Sequence, residues 1–400
     1  MHRRALLLSA AAAAMSGCAS AQTGSASGAG PDAFAVALYA ELARVPGNTF
    51  VSPHSVSSAF ALLHPGARGA TAAQIAETFG FDSDAATAAA RTRARADALA
   101  ANTGGSVFTA ANAAWVERRL SLNPAYAATI ADTLGGTIEA VDFSGDQAEA
   151  IARINAWAAA NTNDRIPEII SGPQDGRVLV LTNAVYFNGK WTDQFNANAT
   201  HDGVFHAEGG DTPAKLMRQV TQARYFEDDG FQAAEFDYDE GAFALAVFLP
   251  RESSSLDRFE RTLDGARLRA WLGRLAGAAP SRLDVTLPKI ELRTDYDLVP
   301  QLRALGVEDA LTPRADLSGL LTEPLPLMVS AVLHKTFLKI DEEGTEAAAV
   351  TAIDVMVTSA MPAPEPPPIE FKADRPFFIA LHHKPTGALV FLGRIATTAV

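Results

Sequence analysis

Residues 331–361 read "AVLHKTFLKIDEEGTEAAAVTAIDVMVTSAM", and the two parts of this stretch differ in character. In the first part, 331–341, Lys335, Lys339 and Asp341 fall on one face and uncharged residues on the other, which predicts a half-buried strand. The second part, 342–361, has no Lys or Arg and is rich in small and β-branched residues. It is too long for a turn and too apolar for an ordinary solvated linker.

If residues 345–357 form a strand, the odd-numbered and even-numbered side chains lie on opposite faces and differ in character. The odd positions from Thr345 to Val357 carry no charge and begin with four small residues, whereas the even positions carry both Glu346 and Asp354. A strand precedes the segment and a stiff polyproline-like run, "PAPEPPP" (362–368), follows it, so both ends favour a loop. Two interpretations stay open: the segment has a second state as an extra strand in a sheet, or it is a surface linker with accidental parity.

The rest of the chain predicts an α+β domain over 32–400, without an internal repeat. Helical spacing and caps dominate the first half, and apolar or alternating runs typical of strands dominate the second. Helices before strands, without βαβ alternation, indicate α+β. The helical segments are "DAFAVALYAELAR" (32–44), "SPHSVSSAFALL" (52–63, Ser cap), "TAAQIAETFGF" (71–81, Thr cap, closing on Gly80) and "AEAIARINAWAAANT" (148–162); the strands include "RVLVLTNAVYFNGKW" (177–191), "FALAVFLP" (243–250), "RLDVTLPKIEL" (282–292) and the hairpin "RPFFIALHHKPTGALVFLGRI" (375–395).

Composition and motifs argue against several function classes. The formal net charge is −13, and the basic run "RTRARA" (91–96) has the pattern of a solvated helix face, so we expect no nucleic-acid partner. The sequence contains no GxSxG, HExxH, SxxK, Walker or GxGxxG motif. The single cysteine excludes a thiolate zinc cluster, and we assign His382 and His383 to packing in the hairpin. We therefore expect no metal, no cofactor and no enzymatic activity.

The N-terminus has the pattern of an export signal. A basic start, "MHRR", precedes the apolar run "ALLLSAAAAAM", which is about half the length of a membrane span. "MSGC" follows and is similar to a bacterial lipobox, so we expect 1–18 to be a signal with lipidation at Cys18, a flexible tether over 19–31, and an extracytoplasmic, membrane-anchored protein. The alternative is ordinary cleavage nearby and free secretion.

Four long motifs, in order, resemble the serpin family across the body of the chain. They are "NTFVSPHSVSSAFALLHPGARGATAAQI" (48–75), "LTNAVYFNGKWTDQF" (181–195), "HKTFLKIDEEGTEAAAVTA" (334–352) and "FKADRPFFIALHHKPTGALVFLGRI" (371–395). The resemblance implies N-terminal helices packed on a large mixed central β-sheet, further sheets, and an exposed reactive-centre loop at about 342–371.

The resemblance also implies a mechanism. In serpins a protease attacks the loop and forms an acyl-enzyme, and the cut loop then inserts into the central sheet and traps the protease covalently. The implied partners are elastase-, subtilisin- or chymotrypsin-like serine proteases, bound by a monomer. The alternative is a non-inhibitory serpin that acts as a binding or carrier protein. The hinge of the loop would comprise Glu342, Gly344, Thr345, Glu346, Ala347, Ala348 and Ala349.

Two further sets of residues follow from the resemblance. A latch between the strands that must part would comprise Ser52, Ser55, Asn183 and His334, with Trp191 capping the upper end of the gap. The usual spacing from Glu342 places the scissile bond at Thr358–Ser359, with Met356–Val357 and Val357–Thr358 as alternatives. The absence of Lys and Arg near this bond argues against trypsin-like targets.

Overall fold

The structure is a computed structural model of the chain, and it describes residues 30–101, 105–239, 241–323, 325–345 and 366–398. The helices are α1 (Pro31–Leu42), α2 (Pro53–Leu63), α3 (Gly69–Phe79), α4 (Ala85–Ala100), α5 (Pro124–Thr129), α6 (Gln147–Asn161), α7 (Leu256–Glu260), α8 (Gly265–Gly277) and α9 (Val299–Ala304). The strands are β1 (Thr49–Val51), β2 (Val107–Glu117), β3 (Thr137–Val141), β4 (Leu179–Lys190), β5 (His201–Ala207), β6 (Gly210–Glu227), β7 (Phe231–Tyr238), β8 (Phe243–Pro250), β9 (Pro280–Pro288), β10 (Ile290–Asp297), β11 (Ala331–Ile340), β12 (Gly344–Thr345), β13 (Ile369–Lys372), β14 (Phe377–His383) and β15 (Ala388–Ile395).

These strands form two sheets. The central sheet has the order β10-β11-β12-β4-β2-β3, and it is mixed because β11 pairs with β4 and β2 with β3 in parallel. The second sheet runs β1-β15-β14-β8-β7-β6-β9-β13, with β5 on β6. The architecture is therefore α+β with a large mixed central sheet, as the sequence predicts.

Helix α2 lies between the two sheets and contacts β2, β4 and β15. Ser52 caps this helix by accepting a hydrogen bond from the Ser55 amide at 3.3 Å, and Pro53 occupies the first turn, where it costs no hydrogen bond. On the opposite face of the central sheet, Ile154 and Ala158 of α6 pack against Trp115 and Val180. Burial on both faces explains why the β4 sequence is almost continuously apolar.

The structure corrects three sequence-based predictions. Helix α3 begins at Gly69 instead of at a Thr71 cap, because the Thr71 hydroxyl accepts a hydrogen bond from the Asp316 amide at 2.9 Å. The segment 282–292 divides at Lys289 between two strands of different sheets, β9 and β10. The first half is less helical than expected, since the Ala-rich β2 pairs with β4 along almost its whole length, so tertiary pairing overrides the helical preference of alanine.

Other segments follow the prediction. The C-terminal hairpin forms as β14 and β15, and Gly80 ends α3 in the left-handed conformation (φ 66°). Of the helices in the described ranges, none is long and apolar enough to cross a membrane.

Candidate functional site: the slot between β11 and β4

The parallel pairing of β11 and β4 extends over only part of their length. It runs from Ala331 opposite Val180 to Thr336 opposite Val185, and above that point the described strands no longer pair with each other. The short strand β12 lies between them at the upper end, antiparallel to both, with Thr345 opposite Ile340 on one side and Gly189 on the other. We call the space between β11 and β4 the slot; its upper end already holds two residues of the predicted hinge.

Position 344 in the slot accepts glycine and no other residue type. Its φ is +148°, and a Cβ atom there would come within 2.1 Å of the Gly189 carbonyl oxygen. The close approach lets the backbone of β12 pair with β4. Any side chain at residue 344 would push the hinge out of the slot.

Thr345 is fully buried. Its hydroxyl group and that of Tyr238, on β7 of the second sheet, share a hydrogen bond of 2.8 Å. Burial raises the pKa of Tyr238, so the phenol remains neutral. The first inserted side chain therefore faces the second sheet and meets a neutral hydroxyl group.

Trp191 holds the backbone that leads into β12. Its indole Nε1 donates to the Asp341 carbonyl at 2.9 Å, and its amide donates to the Glu343 carbonyl at 2.8 Å. The indole also stacks on Tyr238 with ring centroids 4.3 Å apart. The structure thus places Trp191 at the upper end of the slot.

Glu342 is anchored by its side chain. The carboxylate accepts hydrogen bonds from Lys289 Nζ at 2.6 Å and from the Thr200 hydroxyl at 2.8 Å. Burial alone would raise the pKa of Glu342, but these hydrogen bonds and the Lys289 charge outweigh it and lower the pKa. The carboxylate therefore stays charged and ties the hinge to the turn between β9 and β10.

The structure also brings together Ser52, Ser55, Asn183 and His334 below the slot. His334 is fully buried, and its Nε2 accepts a hydrogen bond from the Ser52 amide at 3.1 Å. The proton must then be on Nδ1, which donates to the Asn183 carbonyl oxygen on the neighbouring strand. The Asn183 amide in turn donates to the Ser55 hydroxyl and to Asn112 on β2.

This network requires a neutral histidine. Burial lowers the pKa of His334 to about 3, so the ring is uncharged at physiological pH. Because His334 and Asn183 are directly opposite each other in the β11–β4 pairing, their hydrogen bond joins the two strands at mid-length. That this network acts as a latch stays a prediction.

Several predicted residues lie outside the described ranges. They are Cys18, the hinge residues Glu346, Ala347, Ala348 and Ala349, and the candidate reactive-bond residues Met356, Val357, Thr358 and Ser359. Conversely, sequence reasoning did not find Tyr238, Asn112, Lys289 or Thr200. These residues lie on other strands or in loops, and no local pattern links them to the hinge.

The two histidines of the hairpin, which we assigned to packing, both make polar contacts. His382 is buried, and its Nε2 lies 2.9 Å from a carboxylate oxygen of buried Glu235; His383 Nδ1 lies 2.8 Å from the Thr386 hydroxyl. No group of three or more potential metal-ligating side chains occurs within the described part of the chain.

Comparisons with known proteins agree with this geometry. The family model "Serpin (serine protease inhibitor)" matches residues 29–398. An uncharacterized serpin-like protein of Thermococcus kodakarensis is 34% identical over 366 residues, covering 91% of this chain and 84% of the relative. Human leukocyte elastase inhibitor is 34% identical over 385 residues, covering 91% and 97%.

Among solved structures, human thyroxine-binding globulin superposes with a TM-score of 0.83 at 23% identity, covering 92% of this chain and 98% of that one. At this identity the match shows the shared fold alone. The family model and the relatives settle the classification: the chain belongs to the serpin family.

Proposed function

We propose that this protein inhibits extracytoplasmic serine proteases by inserting its cleaved reactive loop into the slot. The observation that carries the proposal is β12, because this part of the hinge already pairs with both walls of the slot: Thr345 lies opposite Ile340 and Gly189, and Gly344 lies opposite Lys190. The family classification and the relatives named as elastase inhibitors support a protease-inhibiting role.

The observed register specifies what insertion would look like. Continued downward from Thr345, it places Ala349 between Thr336 and Val185, and Thr351 between His334 and Asn183. The six residue pairs that now join β11 to β4 would be replaced by two ladders, one on each side of the new strand. Insertion therefore has to break the His334–Asn183 hydrogen bond.

The same register explains the parity of the loop. Thr345 faces the second sheet, so the odd, uncharged positions would be buried with it, and Glu346 and Asp354 would face the other way. Asp354 would lie opposite Ala331 and Val180, at the lower end of the paired region. A bond at Thr358–Ser359 would then lie beyond the paired region, about 40 Å along the inserted strand from Thr345 at about 3.3 Å per residue, and an attached protease would be carried there.

We propose elastase-, subtilisin- or chymotrypsin-like enzymes as targets, because the candidate reactive-bond residues are Val, Thr, Ser and Met. The protein should form a complex with pancreatic elastase or subtilisin that survives boiling in SDS. The same protease with its active-site serine blocked is the control and should give no complex. Mass spectrometry of the released C-terminal fragment identifies the cut bond.

A carrier role is the second candidate, since thyroxine-binding globulin has the same fold. A carrier would be cut by each protease tested without a covalent complex, and its thermal stability would not rise after cleavage. An inhibitor, whose cut loop becomes a sheet strand, should gain stability strongly on cleavage.

We also propose that the chain is exported and anchored as a monomer through a diacylglyceryl group on Cys18. The basic start, the short apolar run and "MSGC" support this proposal. Mass analysis of the N-terminal peptide from bacterial membranes should find lipidated Cys18 as the first residue. An unmodified N-terminus beyond Cys18 would favour free secretion.

A further inference from the structure

A cavity of about 260 Å³ lies away from the slot, between the amino-terminal turns of α1 and α2, the end of α3, and α4. Its apolar wall is aromatic: Phe34 and Phe79 have ring centroids 4.6 Å apart, and Phe79 and Phe81 are 5.5 Å apart. The space is small for an organic ligand, so an occupant would have few atoms.

A cation without a hydrogen-bonded or ion-paired acceptor among the described residues lines this cavity. On α4, Arg91 pairs with Asp82 at 3.0 Å and Arg93 with Asp97 at 2.7 Å. Arg95, by contrast, makes no hydrogen bond or ion pair with the described residues, although it is partly buried. Its guanidinium is not among the buried groups that lack a partner, so it still reaches solvent; it has five N–H donors, and a carboxylate is the acceptor that fits them best.

A carboxylate oxygen of Asp32 that has no hydrogen-bond donor lines the same cavity. One carboxylate oxygen of Asp32 pairs with Arg269, while its Oδ1 is buried and has no hydrogen-bond donor among the described groups. Asp32 and Arg95 interact electrostatically but do not bond directly. The cavity therefore presents, beside an aromatic wall, one buried carboxylate oxygen without a donor, on an Asp32 that is ion-paired with Arg269, and one guanidinium without a hydrogen-bonded acceptor among the described residues.

The back of the cavity adds no charge. Burial, with a contribution from the Arg95 charge, lowers the pKa of His54 to about 3, so the imidazole is neutral there. A ligand with only a carboxylate would leave Asp32 Oδ1 unpaired, and one with only an amine would leave Arg95 unpaired.

We propose that this cavity binds a free α-amino acid with an apolar side chain. The carboxylate of the ligand accepts hydrogen bonds from Arg95, its ammonium group donates to Asp32 Oδ1, and its side chain packs on the Phe34–Phe79–Phe81 wall. The zwitterion gives Asp32 Oδ1 a donor and the Arg95 guanidinium an acceptor at once, and it leaves the local charge unchanged. The site does not depend on the inhibitory mechanism.

Titration calorimetry of the purified protein with L-phenylalanine tests the proposal. Two analogues are matched controls: 3-phenylpropionate lacks the amine, and 2-phenylethylamine lacks the carboxylate. We expect phenylalanine to bind and each analogue to bind at least about tenfold more weakly, because each analogue lacks one of the two charge-assisted hydrogen bonds. Arg95→Gln should weaken phenylalanine binding by about the same factor, whereas Arg93→Gln on the same helix should not.

Three outcomes would overturn the proposal. Phenylalanine does not bind at any concentration up to its solubility limit; phenylpropionate binds as well as phenylalanine; or Arg95→Gln, shown by its melting temperature to be folded, binds phenylalanine like the unmodified protein. The analogue comparison needs no variant, so the proposal remains testable even if Arg95→Gln does not fold.

Discussion

Thr345→Arg tests the insertion mechanism at the point where the structure is most specific. Thr345 has no exposed surface, its hydroxyl bonds to Tyr238 at 2.8 Å, and its backbone pairs with β11 and β4. An arginine there would bury an unpaired guanidinium beside a neutral phenol, which costs about 3–5 kcal/mol. The variant should therefore keep residue 345 out of the slot.

The expected effect on inhibition follows from a competition between two rates. After acylation the loop either inserts or the acyl-enzyme is hydrolysed. If about 3 kcal/mol of the cost is felt in the transition state for insertion, insertion slows by roughly 150-fold, while hydrolysis is unchanged. Thr345→Arg should still be cut at the same bond but should behave mainly as a substrate.

Titration of elastase or subtilisin with the variant measures this partition directly. The number of inhibitor molecules consumed per protease inactivated should rise at least about tenfold, and the SDS-stable complex should give way to cleaved inhibitor. Thr345→Ser, which keeps a small side chain and the hydroxyl, is the matched control and should inhibit like the unmodified protein. Undiminished inhibition by Thr345→Arg would refute the insertion argument.

Three other predictions concern the hinge, the polar network and the reactive bond. Gly344→Ala should displace β12 at a cost of about 2 kcal/mol or more, since the Cβ would meet the Gly189 carbonyl oxygen at 2.1 Å, and the fluorescence of Trp191 should report the change; an unchanged spectrum would contradict it. Burial lowers the pKa of His334 to about 3, so as the pH falls the unfolded chain takes up a proton on this residue before the folded chain does. The contribution of His334 to the free energy of unfolding should be complete above about pH 6.5 and should fall by up to about 5 kcal/mol toward pH 3. His334→Gln should therefore flatten the dependence of the melting temperature on pH in this window, although the slope that His54 contributes should remain. Thr358→Arg should convert the protein from an elastase inhibitor to a trypsin inhibitor if Thr358–Ser359 is the reactive bond; cleavage by trypsin without a complex would point to another bond.

The local sequence predicted much of the site because several of its residues lie in long, patterned segments. The alternation in 331–341 places His334 on the buried face of β11, and the apolar run around Asn183 predicts a strand buried on both faces. The Ser52 cap and the Gly80 helix end also follow from local chemistry. Local patterns work here because each reflects the burial of one strand or one helix end.

The partners that complete the site could not be predicted in the same way. Tyr238 meets Thr345 across 107 positions of sequence, and Lys289 meets Glu342 across 53. Such pairs depend on how two sheets pack, which no periodicity within one segment encodes. The prediction of a mainly helical first half missed the Ala-rich β2 for the same reason: its strand conformation comes from pairing with β4.

A structure of the protein after cleavage of its loop tests the central claim most directly. We predict that β11 and β4 will no longer pair over Ala331–Thr336 and Val180–Val185, and that a new strand will lie between them with Ala349 beside Thr336 and Thr351 between His334 and Asn183. A cleaved protein in which those six residue pairs persist, with the loop outside the central sheet, would contradict the account.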